Sequence, residues 1–322
     1  MFRNRVDTLF KIFKEIMMGS YGMIILFIPL IVFFAILNPT FISVPNIINI
    51  SRQSAVIGIM AAGMTFVILS ANIDLSVGSI VAFSGVITAF TLKAGLGGGL
   101  AIIFGILAGG AVGYVNGKIT TKFNIPSFIV TLGTMYTVRG VAYLLLGGRP
   151  IWGLPKTFNF LGGGFVLGIP TQVWILVLVF LVGWFILKKT AMGRHTYATG
   201  DNCEAARLSG VDYKKIILWG LLISGLCAGL AGSIMVSRLS SAQPLAGKEY
   251  EMKVIASVVL GGTSFSGGRG EIIGSLMGAL VIGMIANGLN LARVTPYWQM
   301  VFLGLILIIA VIFDKYRQIK KA

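Results

Sequence analysis

Ten apolar runs separated by short polar stretches organise the 322 residues, at about 21–37, 52–71, 76–93, 97–117, 126–147, 169–188, 215–237, 252–264, 270–289 and 296–313. A helix needs about 20 apolar residues, with a range of about 17–25, to cross the hydrocarbon of a bilayer. The eighth run falls short of that. It ends in Gly261-Gly262-Thr263-Ser264, so it reads either as a short helix or as a re-entrant one. Ahead of the first run, residues 6–18 put Leu9, Phe10, Phe13, Ile16 and Met17 on one helical face, away from Lys11, Lys14 and Glu15. That pattern predicts an interfacial helix lying along a leaflet. A cleavable signal peptide fits less well, because the Tyr21–Leu37 run is long and no small-x-small site closes it. The predicted fold is all-α: a polytopic membrane protein of about ten transmembrane helices.

Composition supports that class. With 56% hydrophobic and 11% charged residues and a mean hydropathy of +0.92, the chain has too little polar surface to cover a soluble globule. A net charge of +16 would suggest a nucleic-acid partner in a soluble protein. Here the basic residues gather in short loops between apolar runs, which is a topology signal, and no nucleic-acid partner is expected. Arg3, Arg5, Lys11 and Lys14 at one end and Lys315, Arg317, Lys320 and Lys321 at the other put both termini in the cytoplasm, which requires an even number of crossings. Ten crossings also bring Lys118, Lys122, Lys188, Lys189, Arg194, Arg207, Lys214, Lys215 and Arg269 inside, for 17 of the 26 basic residues. The whole of 1–322 then forms a single membrane domain, with residues 190–214 as its main cytoplasmic loop. The largest outer loop, Gly147 to Ile169, is too small for a receptor domain.

Little in the chain suggests covalent chemistry. Cys203 and Cys227 define no disulfide framework, and the single His195 has no ligand cluster, so no catalytic residue, metal or cofactor is predicted. Gly105, Gly109, Gly113 and Gly117 form one small helical face suited to close helix packing. A phosphate-loop reading of Gly109 to Lys118 fails, since Val112 and Ile119 occupy places that need Gly and Ser/Thr. One acid, Asp74, is embedded among apolar spans, between Asn72 and Ser76. It reads as facing a translocation path, as capping the helix that starts near Leu75, or as both, since the two are compatible. Asn287, Asn290 and Gln299 supply uncharged hydrogen-bonding groups near Tyr297 and Trp298, as a neutral polyhydroxylated ligand requires, though the two aromatics equally suit interfacial anchoring. A faint similarity joins 52–90 to 250–288, each an apolar run meeting a polar, glycine-containing break, which in transporters points toward the pathway. The carboxylate and lysine chains of an ion-coupled pump are missing.

In the cytoplasmic loop, Glu204-Ala205-Ala206-Arg207-Leu208-Ser209-Gly210 reads as a short helix closed by a glycine turn, either a docking handle or an ordinary amphipathic loop helix. Its spacing resembles the EAA loop by which permeases of bacterial ABC importers engage their ATPases. The runs Asn38–Phe41, Asn72–Ser79, Pro126–Met135, Arg238–Pro244 and Leu260–Phe265 match in order and spacing as well. Over nearly its whole length the chain is similar to the ribose-type permeases of bacterial sugar ABC importers.

That resemblance implies a multi-pass protein of the bacterial cytoplasmic (inner) membrane, paired with a second copy or a sister permease. A double-cassette ATPase would bind ATP and Mg beneath it, and an extracytoplasmic sugar-binding protein would deliver a monosaccharide. The chain itself is then a transport subunit and no enzyme. Glu204, Ala205, Ala206, Arg207 and Gly210 would contact the ATPase, and Asn72, Asp74, Ser76, Asn287, Asn290 and Gln299 would line the path. Ribose is the sugar implied first. Lys248-Glu249 departs from the ribose pattern, and relatives for galactose, xylose, arabinose and inositol carry overlapping signatures. An ion-coupled secondary carrier and a membrane scaffold or sensor are the rival classes.

Overall fold

The computed structural model describes residues 22–319, so the helix expected over 6–18 lies outside the described residues. Thirteen α-helices occur among them: α1 (Gly22–Leu37), α2 (Val44–Leu69), α3 (Val77–Lys93), α4 (Gly98–Phe123), α5 (Ser127–Leu146), α6 (Asn159–Gly163), α7 (Thr171–Lys189), α8 (Ala191–Asp201), α9 (Cys203–Leu208), α10 (Tyr213–Leu239), α11 (Tyr250–Leu260), α12 (Ile272–Leu291) and α13 (Pro296–Ile319). Each predicted apolar run has its helix. Six of these, α2, α4, α5, α7, α10 and α12, are long and apolar enough to cross a membrane; α3 and the apolar parts of α1 and α13 are shorter. The loop of 147–169 is not wholly irregular. It carries a 3-10 turn at Lys156–Phe158, α6, and a two-residue hairpin, β1 (Phe165–Val166) against β2 (Ile169–Pro170). Leu167 at φ 52° and Gly168 at φ 76° supply the two left-handed positions that a tight hairpin turn needs.

Helix α2 is the post around which the bundle is built. Every residue from Ser54 to Leu69 is buried, so it is apolar on all sides where a surface helix would show a stripe. The small face predicted on α4 packs on α10. A Cβ on Gly109 would sit 2.7 Å from the Cα of Gly229, and one on Gly113 would lie 3.1 Å from the Cα of Gly225. Glycine on both helices lets their backbones touch, which replaces the hydrophobic drive that lipid cannot provide.

Three breaks interrupt the long helices, at 70–76, 240–249 and 261–271. The 240–249 segment descends into the bundle: Arg139 of α5 donates from Nη1 to the carbonyls of Pro244 (2.9 Å) and Ala246 (2.6 Å). A Cβ on Gly78, in the first turn of α3, would collide with the Gly247 carbonyl and the Glu251 carboxylate. Helix α11 therefore starts inside the bundle beside the start of α3. Its 11 residues span about 16 Å against a hydrocarbon core of about 30 Å. The eighth apolar run is thus a half-length helix reached by a descending loop.

Candidate functional site

The predicted handle is α9, capped by Asn202, whose Oδ1 accepts from the Ala205 N–H at 2.9 Å. Gly210 at φ 84° turns the chain out of it. Glu204 and Arg207 form a forked ion pair within the helix (Nη2–Oε1 2.5 Å, Nε–Oε2 3.0 Å), fully exposed to solvent. The Arg207 guanidinium holds the Glu204 carboxyl below its ordinary value. Glu204 therefore presents a compact ion pair with Arg207 at this surface. The two alanines also differ: Ala205 is exposed, while Ala206 is buried against its own chain. Leu208, passed over in the sequence, is 75% exposed and gives the handle an apolar tip.

The root of the handle touches two helix breaks. Gly200 in α8 packs on the carbonyl of Leu69 and on Gly268 with no room for a Cβ. The Gly268 N–H donates to the Leu69 carbonyl at 2.9 Å, and the Tyr197 hydroxyl donates to the Gly270 carbonyl at 2.9 Å. The polar breaks that look alike in sequence, 70–76 and 261–271, are brought into contact here, with Gly267 against Ala71.

Asp74 lies in the first of those breaks and is fully buried. Its Oδ1 accepts from the Ser76 N–H (2.9 Å) and hydroxyl (2.6 Å), and its Oδ2 from the Ser224 hydroxyl of α10 (2.8 Å). The Ser76 oxygen in turn accepts from Asn116 Nδ2 (3.0 Å), and Asn116 Oδ1 accepts from Thr134 (2.7 Å). Backbone amides of the break are taken up by α5, Ile73 N–H by Ser127 and Leu75 N–H by Thr131. Asp74 thus braces the turn into α3 and ties it to α10. Asn72, partly buried, donates to the Ser70 carbonyl at 2.7 Å.

The other three predicted path residues sit elsewhere. Asn287 is buried in a reciprocal amide pair with Asn46, 2.9 Å each way. Gln299 donates to Asn290 at 2.8 Å near the α12–α13 turn. Asn46 and Ser70 lie near opposite ends of α2, about 36 Å apart at 1.5 Å per residue. The six residues therefore form two separate clusters.

Between these clusters lies a cavity of about 240 Å³ walled by α2, α10, α11 and α12, with Gln53, Arg238, Tyr250 and Lys253 among its lining and Ile57 and Ile282 supplying apolar wall. Lys253 Nζ stands 5.3 Å from the Tyr250 ring centre. Its residues were missed in the sequence because they are scattered over 200 positions, with Arg238, Tyr250 and Lys253 near helix ends, where charge looks like ordinary termination. A larger groove of about 760 Å³ between α3, α4 and α5 is walled almost wholly by apolar side chains such as Phe83, Phe104 and Leu107. Among the described residues, no three His, Cys, Asp or Glu side chains gather as a metal would require.

A bundle of membrane-length helices, interrupted at three polar breaks and carrying one short exposed helix, has the build of a membrane-embedded transport component. Residues 46–311 match the family described as branched-chain amino acid transport system / permease component, and the chain belongs to that family. It is 47% identical over 302 residues to the ribose import permease protein RbsC of Haemophilus influenzae, covering 92% of this chain and 94% of that one. RbsC of Bacillus subtilis is 46% identical over 89% of each chain. The D-allose transport system permease protein AlsC of Escherichia coli is 41% identical, covering 92% and 91%. No solved structure matches the chain.

Proposed function

We propose that this protein is the permease subunit of an ATP-driven importer of a monosaccharide, ribose first among the candidates, in the bacterial cytoplasmic membrane. Ten crossings place both termini inside, and residues 1–322 act as one membrane domain whose 190–214 loop meets the ATPase. The observation that carries this is the bolting of α8 to both inner breaks through Gly200 and Tyr197. A push on the α9 handle would reach Leu69–Ala71 and Gly268–Gly270 through α8, with Asn202 the one non-helical residue between the two helices. Nucleotide binding in a double-cassette ATPase below would move the handle, the breaks would shift with it, and the path would alternate between outward and inward access. A second permease copy or a sister permease completes the path, and an extracytoplasmic binding protein loads it. ATP and Mg belong to the ATPase partner, so this chain contributes coupling and a path.

The test is ATPase activity of the permease–ATPase complex in nanodiscs, with and without sugar-loaded binding protein. Stimulation by the loaded protein, lost in Glu204→Lys, is the expected result. A flat response from a well-formed complex would sink the importer reading. Uptake into liposomes by this chain alone under an ion gradient would install the carrier reading in its place.

A further inference from the structure

We infer that the cavity between α2, α10, α11 and α12 is the station at which this permease holds a neutral sugar in transit, with Arg238, Lys253, Tyr250 and Gln53 as its recognition set. The inference rests on the sugar-permease reading and adds the site that reading lacks.

Four observations converge. The cavity, about 240 Å³, is the size class of one small ligand and opens beside the descending 240–249 loop, where α11 begins inside the bundle. Its polar tips are unspent: among the described residues neither the Arg238 guanidinium nor the Lys253 ammonium makes a hydrogen bond or ion pair, and Gln53 gives its amide only to Asn49 at 3.2 Å, leaving its carbonyl oxygen open. Ser54, next along α2 and 1% exposed, has a hydroxyl with no partner, facing Gly283 of the cavity wall. Arg238, Lys253 and Gln53 are half-buried and Ser54 is buried; unspent polar groups converging on one cavity, with a buried orphan hydroxyl at its wall, mark where something else binds.

The mixture of groups selects the ligand class. Arg238 and Lys253 are pure donors, the Gln53 carbonyl is an acceptor, and the Tyr250 hydroxyl is both. A sugar hydroxyl both donates and accepts, and so uses all four. The Tyr250 ring, Ile57 and Ile282 offer apolar surface for the C–H faces of a sugar ring. An anion would use the donors and leave the carbonyl idle. Glu249 and Glu251 also flank Lys253 on its own segment and offset its charge. The Asp74 and Asn287 clusters, by contrast, are closed sets that spend their hydrogen bonds inside the protein.

Saturation-transfer NMR of D-ribose on the purified permease in nanodiscs tests this directly, alongside labelled-ribose uptake by the complete importer. The wild-type permease is expected to transfer saturation to ribose, and Arg238→Gln and Lys253→Gln to abolish it. Both variants should lower maximal uptake about tenfold and leave the half-saturating concentration unchanged, because capture belongs to the binding protein. Tyr250→Phe keeps the ring packing and guards against misfolding; it should give a smaller loss in a protein that stays monodisperse. Variants with full transfer and uptake would overturn the assignment. Loss of the ribose signal on adding inorganic phosphate would overturn the neutral-sugar class in favour of an anion. A wild-type importer that fails to take up ribose, while transfer is still seen and still lost in the variants, would overturn the ribose-import reading and support sugar binding in the cavity.

Discussion

Asp74 and Lys253 are both ionisable side chains beside helix breaks inside the same bundle, and the protein treats them in opposite ways. Around Asp74 every polar contact is closed within the chain: three donors reach the carboxylate, Asn116 continues the network, and α5 hydroxyls take up the backbone of the break. Around Lys253 nothing closes; the ammonium rests over an aromatic ring and faces a cavity shared with Arg238. The desolvation cost of a buried polar group has to be offset somewhere. Where the offset is internal, the group is part of the frame. Lys253 is only half-buried, and its unspent ammonium is left for a ligand or water. A charged residue in a membrane protein is therefore a functional candidate only after its partners have been counted.

The largest effect should come from opening the closed network. Asp74→Ala removes the acceptor for Ser224 and for the Ser76 amide, and should destabilise the purified permease by about 2–4 kcal/mol, from roughly 1–3 kcal/mol per orphaned buried donor. Thermal unfolding in detergent measures it, and a wild-type midpoint would break the contrast with Lys253. Next, Asn116→Ala strands Thr134 and one face of Ser76 and should cost about 1–2 kcal/mol in the same assay. Lys253→Gln should move stability by less than about 0.5 kcal/mol while reducing ribose uptake. A large loss of stability there would return Lys253 to the frame.

The smallest effect is at the handle. The Glu204 carboxyl is held below its ordinary value of 4.5 by Arg207. A carboxyl lowered by folding adds stability above its unfolded value and loses it as pH falls through the folded value. Hydrogen exchange of amides 202–210 should accordingly be flat in its protection from pH 8 to pH 5, once the intrinsic rate is removed, and weaken only below 4.5. Loss of protection already at pH 6 would mean that another group holds the helix.

Glycine spacing on α4 was readable because it serves one physical demand, backbone contact, and Gly225 and Gly229 on α10 meet it from the other side. The short α9 helix was equally readable, since its closing glycine and its short length are local properties, whereas its Asn202 cap was not picked out. The exposure of Leu208 and the burial of Ala206 were not, because they depend on how α9 lies against its own chain. Helix ends were legible to within a few residues, apart from α2, which begins eight residues before its apolar run in the mixed stretch Val44–Ser51, and α4 and α13, which each run six residues past theirs.

The class and the elements could be read from sequence alone: ten apolar helices, one short exposed helix, and membership of a permease family. These follow from hydrophobic length, charge placement and local spacing, each contained in a continuous stretch of chain. Only the tertiary structure decided which polar residues are spent and which are free. Asp74 meets Ser224 across 150 positions and Asn287 meets Asn46 across 241, whereas Gln53, Arg238, Tyr250 and Lys253 converge on one cavity. Hydrogen-bond satisfaction is a property of three-dimensional neighbours, and no pattern along one strand of sequence encodes it.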